Sequence, residues 1–391
     1  MPATADVVVI GGGINGAAIA FHLARRGVAV TVVEKESICA GPTARCCGII
    51  RQHYSHAVTA RMALAGLRTF ERFDDVVGGE CDFHRTGFLL TAREDTLESL
   101  TANVEMHRSL GIDSRLLTAE EVREIEPHVD LEGIVAGAWE PEAGYADPYA
   151  ATTAYAARAA DHGAEIRTGT MALAIDRRGD RVTGVTTDAG RIDAGAVVLA
   201  AGPWAGALLA PLGVELPIRA GRVQVSLFEK PAALATRGIF GDTVLGIYTR
   251  PEADLLLVGS LETSDAEFGV ADPDHYNEAI DFERVESYSE RVARRYPTMD
   301  EGRFHSGYAS LYDVTPDWQP VLGALPGYEN LYGALGSSGH GFKLAPVVAE
   351  VLADAVTGAE PDREILELFS AERFAAGALA DGRYGGHKIL A

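Results

Sequence analysis

Three apolar runs of the chain follow the pattern of a parallel sheet with a connecting helix. Residues 7–10 form a short β-branched run, a glycine-rich turn follows at once, and residues 17–26 carry the apolar pattern of a helix. Residues 28–33 form a second β-branched run, and residues 196–202 form a third run that ends in small side chains. The order strand, helix, strand predicts a βαβ unit, with the later run in the same type of sheet.

A different pattern occupies the middle of the chain. Residues 216–228 and 237–262 alternate apolar and polar side chains, which is typical of an antiparallel sheet with one solvent-exposed face. Residues 83–92 and 134–140 are predicted as strands on either side of a charged helical stretch, residues 94–126. Further helices are predicted at residues 57–73, 150–162, 277–295 and 345–352. Because the two kinds of pattern are interspersed, the sequence predicts an α/β (α+β) fold with two interleaved domains.

The glycine-rich turn has the spacing of a dinucleotide-binding motif. Gly11, Gly13 and Gly16 would allow a tight turn, close approach of the backbone to a pyrophosphate, and close packing of helix on strand. Glu34 follows the second strand, near the distance at which an acid binds adenosine ribose hydroxyls. A purely structural turn is the alternative, but the strand, the helix and the acid are all present here. Glu34 disfavours NADP as the bound dinucleotide, but it does not distinguish between FAD and NAD.

Composition and charge narrow the function. The chain has 391 residues, with 34 Lys and Arg against 56 Asp and Glu, and a formal net charge of -22. This acidity argues against nucleic acids and anionic membranes as partners, because both would repel such a surface. Four cysteines without a CxxC pair indicate a reducing cytoplasm and no structural metal. No run approaches the ~20 apolar residues of a membrane span, so we expect a soluble cytoplasmic protein.

Two further motifs complete a resemblance to a known family. Residues 197–204 read VVLAAGPW at a predicted strand end, and residues 336–343 read GSSGHGFK before the last predicted helix. With the βαβ unit, they make the chain resemble the FAD-dependent D-amino-acid oxidase superfamily, and within it the sarcosine oxidase and glycine oxidase group. The resemblance extends over essentially the whole chain, and it selects FAD over NAD.

The resemblance implies a Rossmann-like FAD-binding domain interleaved with an antiparallel-sheet substrate domain. We expect residues 1–82, 145–215 and 303–391 to form the FAD-binding domain, and residues 83–144 and 216–302 to form the substrate-binding domain. The implied reaction oxidises the C–N bond of a small or N-substituted amino acid to an imine that hydrolyses. The implied substrates are an N-substituted glycine, glycine or an imino acid, with O2 as the electron acceptor, giving H2O2.

Four residues match the substrate site of the family. Arg51 matches the arginine that binds the substrate carboxylate, a task suited to the paired donors of a guanidinium. Lys343 matches a lysine near the carboxylate and the flavin ring. Tyr312 and Tyr248 match tyrosines that line the substrate pocket. Taken alone, each of the four is more often a surface or packing residue.

The resemblance also implies which residues contact FAD. The expected cofactor-binding residues are Gly11, Gly13, Ile14, Asn15, Gly16, Glu34, Lys35, Thr43, Ala44, Arg45, Cys46, Cys47, Ala172, Ala201, Gly202, Trp204, Gly336, Ser338, Gly339, His340, Gly341, Phe342 and Lys343. The adjacent Cys46 and Cys47 are expected to pack against the flavin, because vicinal cysteines seldom reach disulfide geometry. His340 is expected to serve its loop rather than to act as a base.

Three departures from the family pattern affect the expected chemistry. Ser310 stands where monomeric sarcosine oxidase has the cysteine that holds FAD covalently, so we expect noncovalent FAD. Leu257 stands at the position of a lysine that activates oxygen, although glycine oxidase relatives lack this lysine too. Ala44 and Gly48 replace a histidine and an arginine near the flavin.

Other functions stay open at this point. An amino-acid dehydrogenase would pass its electrons to a quinone or a partner flavoprotein, and Leu257 is the main support for it. A noncatalytic FAD-binding subunit would hold flavin that no amine reduces. An NAD-binding regulator would be colourless. The sequence leaves the amine substrate and the oligomeric state undetermined.

Overall fold

Two large β-sheets form the framework of the fold. The computed structural model describes residues 3–270, 272–380, 382–385 and 390. Within these residues, the first sheet has eight strands: Ala3–Ile10, Val30–Val33, Glu165–Arg167, Ala172–Arg178, Arg181–Thr187, Gly190–Leu199, Val321–Ala324 and Leu331–Leu335. The second sheet has nine: Phe88–Ala92, Arg115–Thr118, Ala136–Glu140, Arg219–Glu229, Ile239–Asp242, Ile247–Glu252, Leu255–Ser260, Glu267–Phe268 and Arg303–Val314. A small third sheet contains Ile49–Ile50, His84–Arg85 and Gly144–Tyr145.

Helices connect the strands and cover the sheets. Those in the described residues are Ile14–Arg25, Ala57–Glu71, Phe73–Val76, Leu97–Ser109, Ala119–Ile125, Pro148–Asp161, Ala205–Leu209, Phe282–Arg295, Gly341–Thr357, Arg363–Leu368 and Glu372–Ala376. The first of them packs against Pro148–Asp161 and Gly341–Thr357. None of the helices found in the described residues has the length and apolar character needed to cross a lipid bilayer.

The predicted βαβ unit lies at the centre of the first sheet. Ala3–Ile10 pairs in parallel with Val30–Val33 on one side and with Gly190–Leu199 on the other. The last four residues of the first strand alternate between two hydrophobic clusters, one on each side of the sheet. A strand buried on both faces needs a continuous β-branched run, which explains the sequence of residues 7–10.

The second sheet is mainly antiparallel, as the alternating pattern predicts. Arg219–Glu229 pairs with Arg303–Val314 over nearly its whole length, while Phe88–Ala92 and Ile239–Asp242 form a parallel pair. The mixed α/β fold class is therefore confirmed. Arg303–Val314 belongs to the second sheet although it falls in the segment predicted to bind FAD. The domain boundaries themselves stay a prediction, and residues 386–389 within them lie outside the described part of the chain.

One local prediction is wrong. Residues 94–126 are predicted as one helical stretch, but Arg115–Thr118 is a strand that pairs with Ala136–Glu140. The next helix begins after Thr118, whose hydroxyl accepts a hydrogen bond from the amide of Glu121 at 3.2 Å. The Glu121 carboxylate in turn accepts from the Thr118 amide at 2.8 Å, which completes a capping box. The residues around this short strand are charged, so the sequence there shows no alternation of apolar and polar side chains that would predict a strand.

A buried ion pair fixes a helix to the second sheet. Arg295 ends the helix Phe282–Arg295 and donates from Nε to Asp242 Oδ2 at 2.6 Å. The two side chains are 2% and 0% exposed. Arg295 also donates to the carbonyl oxygens of Asp130 and Glu132. Because both charges are removed from water, each depends on the other for its stabilisation.

We predict that Arg295→Met lowers the free energy of unfolding by about 3–5 kcal/mol, because it leaves the Asp242 carboxylate buried without its partner. The matched control is Arg72→Met, since Arg72 forms an exposed pair with Asp75 that is worth at most about 1 kcal/mol. Urea unfolding followed by circular dichroism measures both variants. Equal losses in the two would contradict the role assigned to the buried pair.

Candidate active site

The turn after the first strand is built from glycines that leave no space for a side chain. Gly11 has a φ of +109°, and a Cβ added there would lie 2.4 Å from the carbonyl oxygen of Ala200. A Cβ on Gly16 would lie 1.9 Å from the carbonyl oxygen of Gly11. Gly13 directly precedes the helix Ile14–Arg25, so the amides of its first turn lie at this place, where that of Ile14 donates to the Thr43 hydroxyl at 3.3 Å. The turn has the close backbone and amide supply that pyrophosphate binding needs.

Glu34 is held beside the same turn. Its carboxylate accepts hydrogen bonds from the amide of Gly12 at 2.6 Å and from the amide of Glu36 at 2.9 Å. This is the position at which an acid meets the ribose of a bound dinucleotide. Lys35 follows, and its Nζ lies 4.0 Å from the centroid of the Trp204 ring. The contact connects the end of the second strand with the predicted motif at residues 197–204.

A cavity of about 510 Å³ extends from this turn, a size typical of small-molecule and cofactor sites. Residues of both sheets line it, including Val223 and Val225 from the second sheet. The predicted site residues that line it are Gly11, Gly13, Ile14, Asn15, Glu34, Lys35, Thr43, Arg45, Cys46, Cys47, Ala172, Ala201, Gly202, Trp204, Tyr312, Gly339, Gly341 and Phe342. Residues far apart in sequence therefore form one wall.

Other predicted cofactor residues lie behind that wall. Ser338 is buried and donates from its hydroxyl to the carbonyl oxygen of Gly336 at 2.9 Å. His340 Nδ1 lies 3.0 Å from the hydroxyl of Tyr54, so this histidine connects its loop to a distant segment of the chain. The predicted cofactor residues that do not line the cavity are Gly16, Ala44, Gly336, Ser338, His340 and Lys343, and the predicted substrate residues Arg51 and Tyr248 do not line it either.

Segment 273–278 also lines the cavity, although no sequence motif indicates it. Asp274 accepts a hydrogen bond from Trp204 Nε1 at 2.9 Å. Arg45 donates to the Tyr276 hydroxyl at 2.8 Å and to Glu278 at 2.7 Å. These contacts join residues more than 60 positions apart. A local sequence pattern therefore cannot predict that this segment lies at the cavity.

The two predicted cations lie in the same buried region. Arg51 is 6% exposed, and its guanidinium carbon lies 4.4 Å from the centroid of the Tyr54 ring. Lys343 is also 6% exposed. Burial and, to a smaller extent, the charge of Arg51 lower the pKa of Lys343 to about 7, against the opposite effect of the Cys46 and Cys47 thiols. Arg51 and Lys343 are therefore within electrostatic range of each other and of two residues that line the cavity.

The predicted tyrosines lie around the same thiols. The hydroxyl of Tyr248 lies 3.0 Å from Cys47 Sγ, and Tyr248 and Tyr312 together line a small second cavity of about 30 Å³. Burial raises the pKa of both phenols, and the neighbouring Cys47 adds to the effect, so both stay protonated. Glycines make space for the rings, since a Cβ on Gly259 or Gly339 would lie 2.3 or 2.7 Å from the nearest ring atom.

The adjacent cysteines are free thiols in uncharged form. Burial raises the pKa of Cys46, and it raises the pKa of Cys47 to about 11. A thiol with a raised pKa is a poor nucleophile. The environment supports packing against a cofactor rather than redox chemistry.

The structure also places Ser310 and Leu257, two of the residues that depart from the family pattern. Ser310 lines the cavity, and a hydroxyl there cannot form the thioether of a covalent flavin. Leu257 is 2% exposed on the strand Leu255–Ser260, where it lies opposite Leu227. On its other side Leu257 pairs with Arg250 of the strand Ile247–Glu252; burial raises the pKa of the Cys46 and Cys47 thiols, and the charge of Arg250 acts in the opposite direction. A leucine therefore fills this position, while a cation lies on the neighbouring strand.

The cavity, the glycine turn and the acid that accompanies it define the class of protein as a dinucleotide-binding protein. Comparison with known families identifies the particular class, because the family described as FAD dependent oxidoreductase (DAO) matches residues 6–355. The chain belongs to this family, and FAD is its cofactor. The expected resemblance and the expected FAD, held noncovalently as is typical of the family, are confirmed.

Several characterised proteins are similar to the chain. The 4-methylaminobutanoate oxidase (formaldehyde-forming) of Paenarthrobacter nicotinovorans is 28% identical over 92% of this chain and 44% of its own length. The sarcosine oxidase subunit beta of Arthrobacter sp is 28% identical, over 96% of this chain and 92% of that one. The structure of L-proline dehydrogenase from P. horikoshii superposes with a TM-score of 0.88 and 29% identity, covering 97% of this chain and 100% of that chain. The chain spans less than half the length of the first of these relatives.

We predict that Gly16→Ala abolishes FAD binding, because its Cβ would lie 1.9 Å from the Gly11 carbonyl oxygen and distort the turn. Gly206→Ala is the matched control, since a Cβ there meets nothing within 4 Å. The ratio of flavin absorbance to protein absorbance after purification should fall more than about tenfold only in Gly16→Ala. Full flavin content in both variants would contradict the assignment.

The pKa of about 7 for Lys343 predicts a pH dependence of the stability of the flavin-free protein. Between pH 7 and about 10.5 the unfolded chain binds a proton at Lys343 that the folded chain does not, so stability rises with pH in this window. The rise from this group is up to about 1 kcal/mol per pH unit, and Lys343→Met should remove it.

Urea unfolding at pH 7, 8 and 9 measures the slope. Lys230→Met is the control, because the ammonium of Lys230 lies at the surface, where it donates to the carbonyl oxygen of Ala253. It should keep the slope of the unmodified chain. If Lys343→Met and the unmodified chain show parallel slopes, Lys343 is not buried as the structure describes.

Proposed function

We propose that the chain is an FAD-dependent amine oxidoreductase that oxidises the C–N bond of a small or N-substituted amino acid to an imine, which hydrolyses in water. The observation that carries this proposal is the burial of Arg51 and Lys343 beside the cavity. Two cations in a protein interior repel each other and lose their hydration. In this proposal a substrate carboxylate bound by both side chains brings a negative charge next to them and stabilises their charged forms.

The residues of the chain bind and orient the substrate in this mechanism. Arg51 binds the carboxylate through paired N–H donors, and Lys343 adds a second positive charge. Tyr248 and Tyr312, held as neutral phenols, form the wall around the amine. FAD, when bound, supplies the two-electron oxidation of the C–N bond. A substrate bound as its neutral amine needs no general base for that step.

The substrate class we propose is an N-substituted glycine, with glycine and a cyclic imino acid as the nearest alternatives. The names of the similar proteins support an amine with a carboxylate, since they refer to sarcosine, dimethylglycine, 4-methylaminobutanoate and L-proline. The acceptor that we propose is O2, giving H2O2.

A specific observation favours a second candidate for the electron acceptor. The buried Leu257 leaves an apolar contact with Leu227 at the position where a lysine would activate oxygen. A dehydrogenase that passes electrons to a quinone or a partner flavoprotein would not need that lysine. Both candidates share the same carboxylate site, and they differ in the rate at which the reduced protein reacts with air.

An anaerobic titration of the purified protein tests the function and the acceptor. Sarcosine, longer N-alkylglycines, proline and glycine are added in turn while the visible flavin spectrum is recorded, and air is then admitted. Bleaching by one of these amines supports the proposed reaction class, and fast recovery in air supports O2 as the acceptor. Slow recovery would favour the dehydrogenase. A yellow protein that none of these amines bleaches would contradict the proposed substrate class.

We predict that Arg51→Met lowers kcat/KM for the amine that bleaches the flavin by at least about 100-fold, because a charge-assisted contact to the carboxylate is lost. Arg68→Met is the control, since Arg68 pairs with Glu142 and Glu71 at the surface. Steady-state kinetics with equal flavin loading measure the effect. An unchanged kcat/KM in Arg51→Met would show that the carboxylate is bound elsewhere.

A further inference from the structure

Three buried side chains converge at a place outside the cofactor cavity. His53 follows the strand Ile49–Ile50, His107 lies in the helix Leu97–Ser109, and Glu140 ends the strand Ala136–Glu140. The side chains of all three are 0% exposed. Glu140 Oε1 lies 3.5 Å from His53 Nδ1 and 3.8 Å from His107 Nδ1, and the three atoms lie within 4.8 Å of one another.

The outer polar atom of each side chain is held by a partner. His53 Nε2 lies 2.6 Å from the Tyr384 hydroxyl, and Glu140 Oε2 accepts a hydrogen bond from the Gln52 amide at 2.9 Å. His107 Nε2 lies 2.8 Å from the carbonyl oxygen of Tyr54 and 3.3 Å from its amide nitrogen. The shorter contact requires a proton on Nε2, because a carbonyl oxygen only accepts. His107 as a neutral ring therefore directs the lone pair of Nδ1 toward Glu140.

The inner atoms have no such partners. Among the described residues, His53 Nδ1, His107 Nδ1 and Glu140 Oε1 are fully buried and lack a hydrogen-bond partner. A buried polar atom without a partner costs about 1–3 kcal/mol, and the cost is larger for a charged group. A lone pair that faces a carboxylate oxygen at less than 4 Å is also repulsive. A positive charge between the three atoms removes all of these costs.

We propose that His53, His107 and Glu140 bind a divalent transition-metal ion of the Zn²⁺ type. Two imidazole nitrogens and one carboxylate oxygen are ligands that Zn²⁺ prefers. Tetrahedral bonds of about 2.0–2.1 Å place neighbouring ligand atoms roughly 3.3 Å apart, close to the 3.5 and 3.8 Å separations from Glu140 Oε1 to the two histidines. The two histidine nitrogens lie within 4.8 Å of each other, so binding of the ion would draw them closer together. In metal sites, the ring nitrogen of a histidine that does not bind the metal usually contacts an oxygen atom, which orients the ring. The outer contacts of His53 and His107 are of this kind.

The site would add metal bonds between three elements that hydrogen bonds and packing already hold together. His53 belongs to the segment that carries Arg51, while His107 and Glu140 come from a helix and a strand of other parts of the chain. An ion that binds only the folded chain stabilises it in proportion to its affinity. The ligand positions 53, 107 and 140 have no local spacing signature, which explains why the sequence predicts no metal.

Metal analysis of the tag-free holoprotein tests the proposal. After dialysis against metal-free buffer and incubation with Zn²⁺, the unmodified chain should hold about one ion per chain, and Glu140→Gln should hold less than about 0.1. Glutamine keeps an oxygen that accepts from the Gln52 amide, and its NH₂ group can donate to a histidine lone pair, so we expect this variant to fold. His305→Asn is the control for adventitious binding by a surface histidine, and it should retain the ion.

Thermal unfolding gives an independent readout. A chelator should lower the melting temperature of the unmodified chain, and Zn²⁺ should restore it, whereas Glu140→Gln should not respond to either. If Glu140→Gln does not fold, the visible spectrum of the metal-free unmodified chain after addition of Co²⁺ tests the proposal instead. Tetrahedral Co²⁺ absorbs at wavelengths beyond the flavin bands, so its absorption can be seen in the holoprotein.

Equal metal content in the unmodified chain and in a folded Glu140→Gln, or no Co²⁺ absorption, would overturn the proposal and assign a shared proton to the cluster. These measurements use no amine substrate, so their outcome is independent of the proposed function.

Discussion

The close approach of the first strand to its neighbour is the constraint on which the rest of the structure depends. Where Ala3–Ile10 ends, the backbone of Gly11 passes so near Ala200 that no Cβ fits between them. The same tight turn places the start of the helix Ile14–Arg25 and the carboxylate of Glu34 around one point. The residues predicted to bind the pyrophosphate and the ribose, and one wall of the cavity, are therefore arranged around this turn.

A second close contact between two helices positions Lys343, which is predicted to bind the substrate. A Cβ on Gly66 would lie 2.3 Å from the carbonyl oxygen of Lys343, so the helix Ala57–Glu71 packs directly on the start of the helix Gly341–Thr357. This packing buries Lys343 near Arg51. Burial of two cations is unfavourable for stability, and under the proposed function a carboxylate bound by both residues would offset this cost.

The sequence predicts those features that are local. The βαβ unit, the glycine turn and Glu34 follow from short-range spacing, and the family resemblance adds Arg51 and Lys343. The edge strand Arg115–Thr118 was hidden by charged neighbours, because a short strand at an edge has weak periodicity. The cluster of His53, His107 and Glu140 and the contacts of segment 273–278 arise only when distant segments meet.

The most direct test of the account is the binding of a carboxylate that cannot be oxidised. Methoxyacetate has the shape of sarcosine with an ether oxygen in place of the amine. We expect it to perturb the flavin spectrum of the holoprotein saturably, and to bind at least about tenfold more weakly in Arg51→Met and in Lys343→Met. Equal affinity in all three proteins, or no spectral change in the unmodified chain, would contradict a carboxylate site formed by Arg51 and Lys343 in front of the flavin.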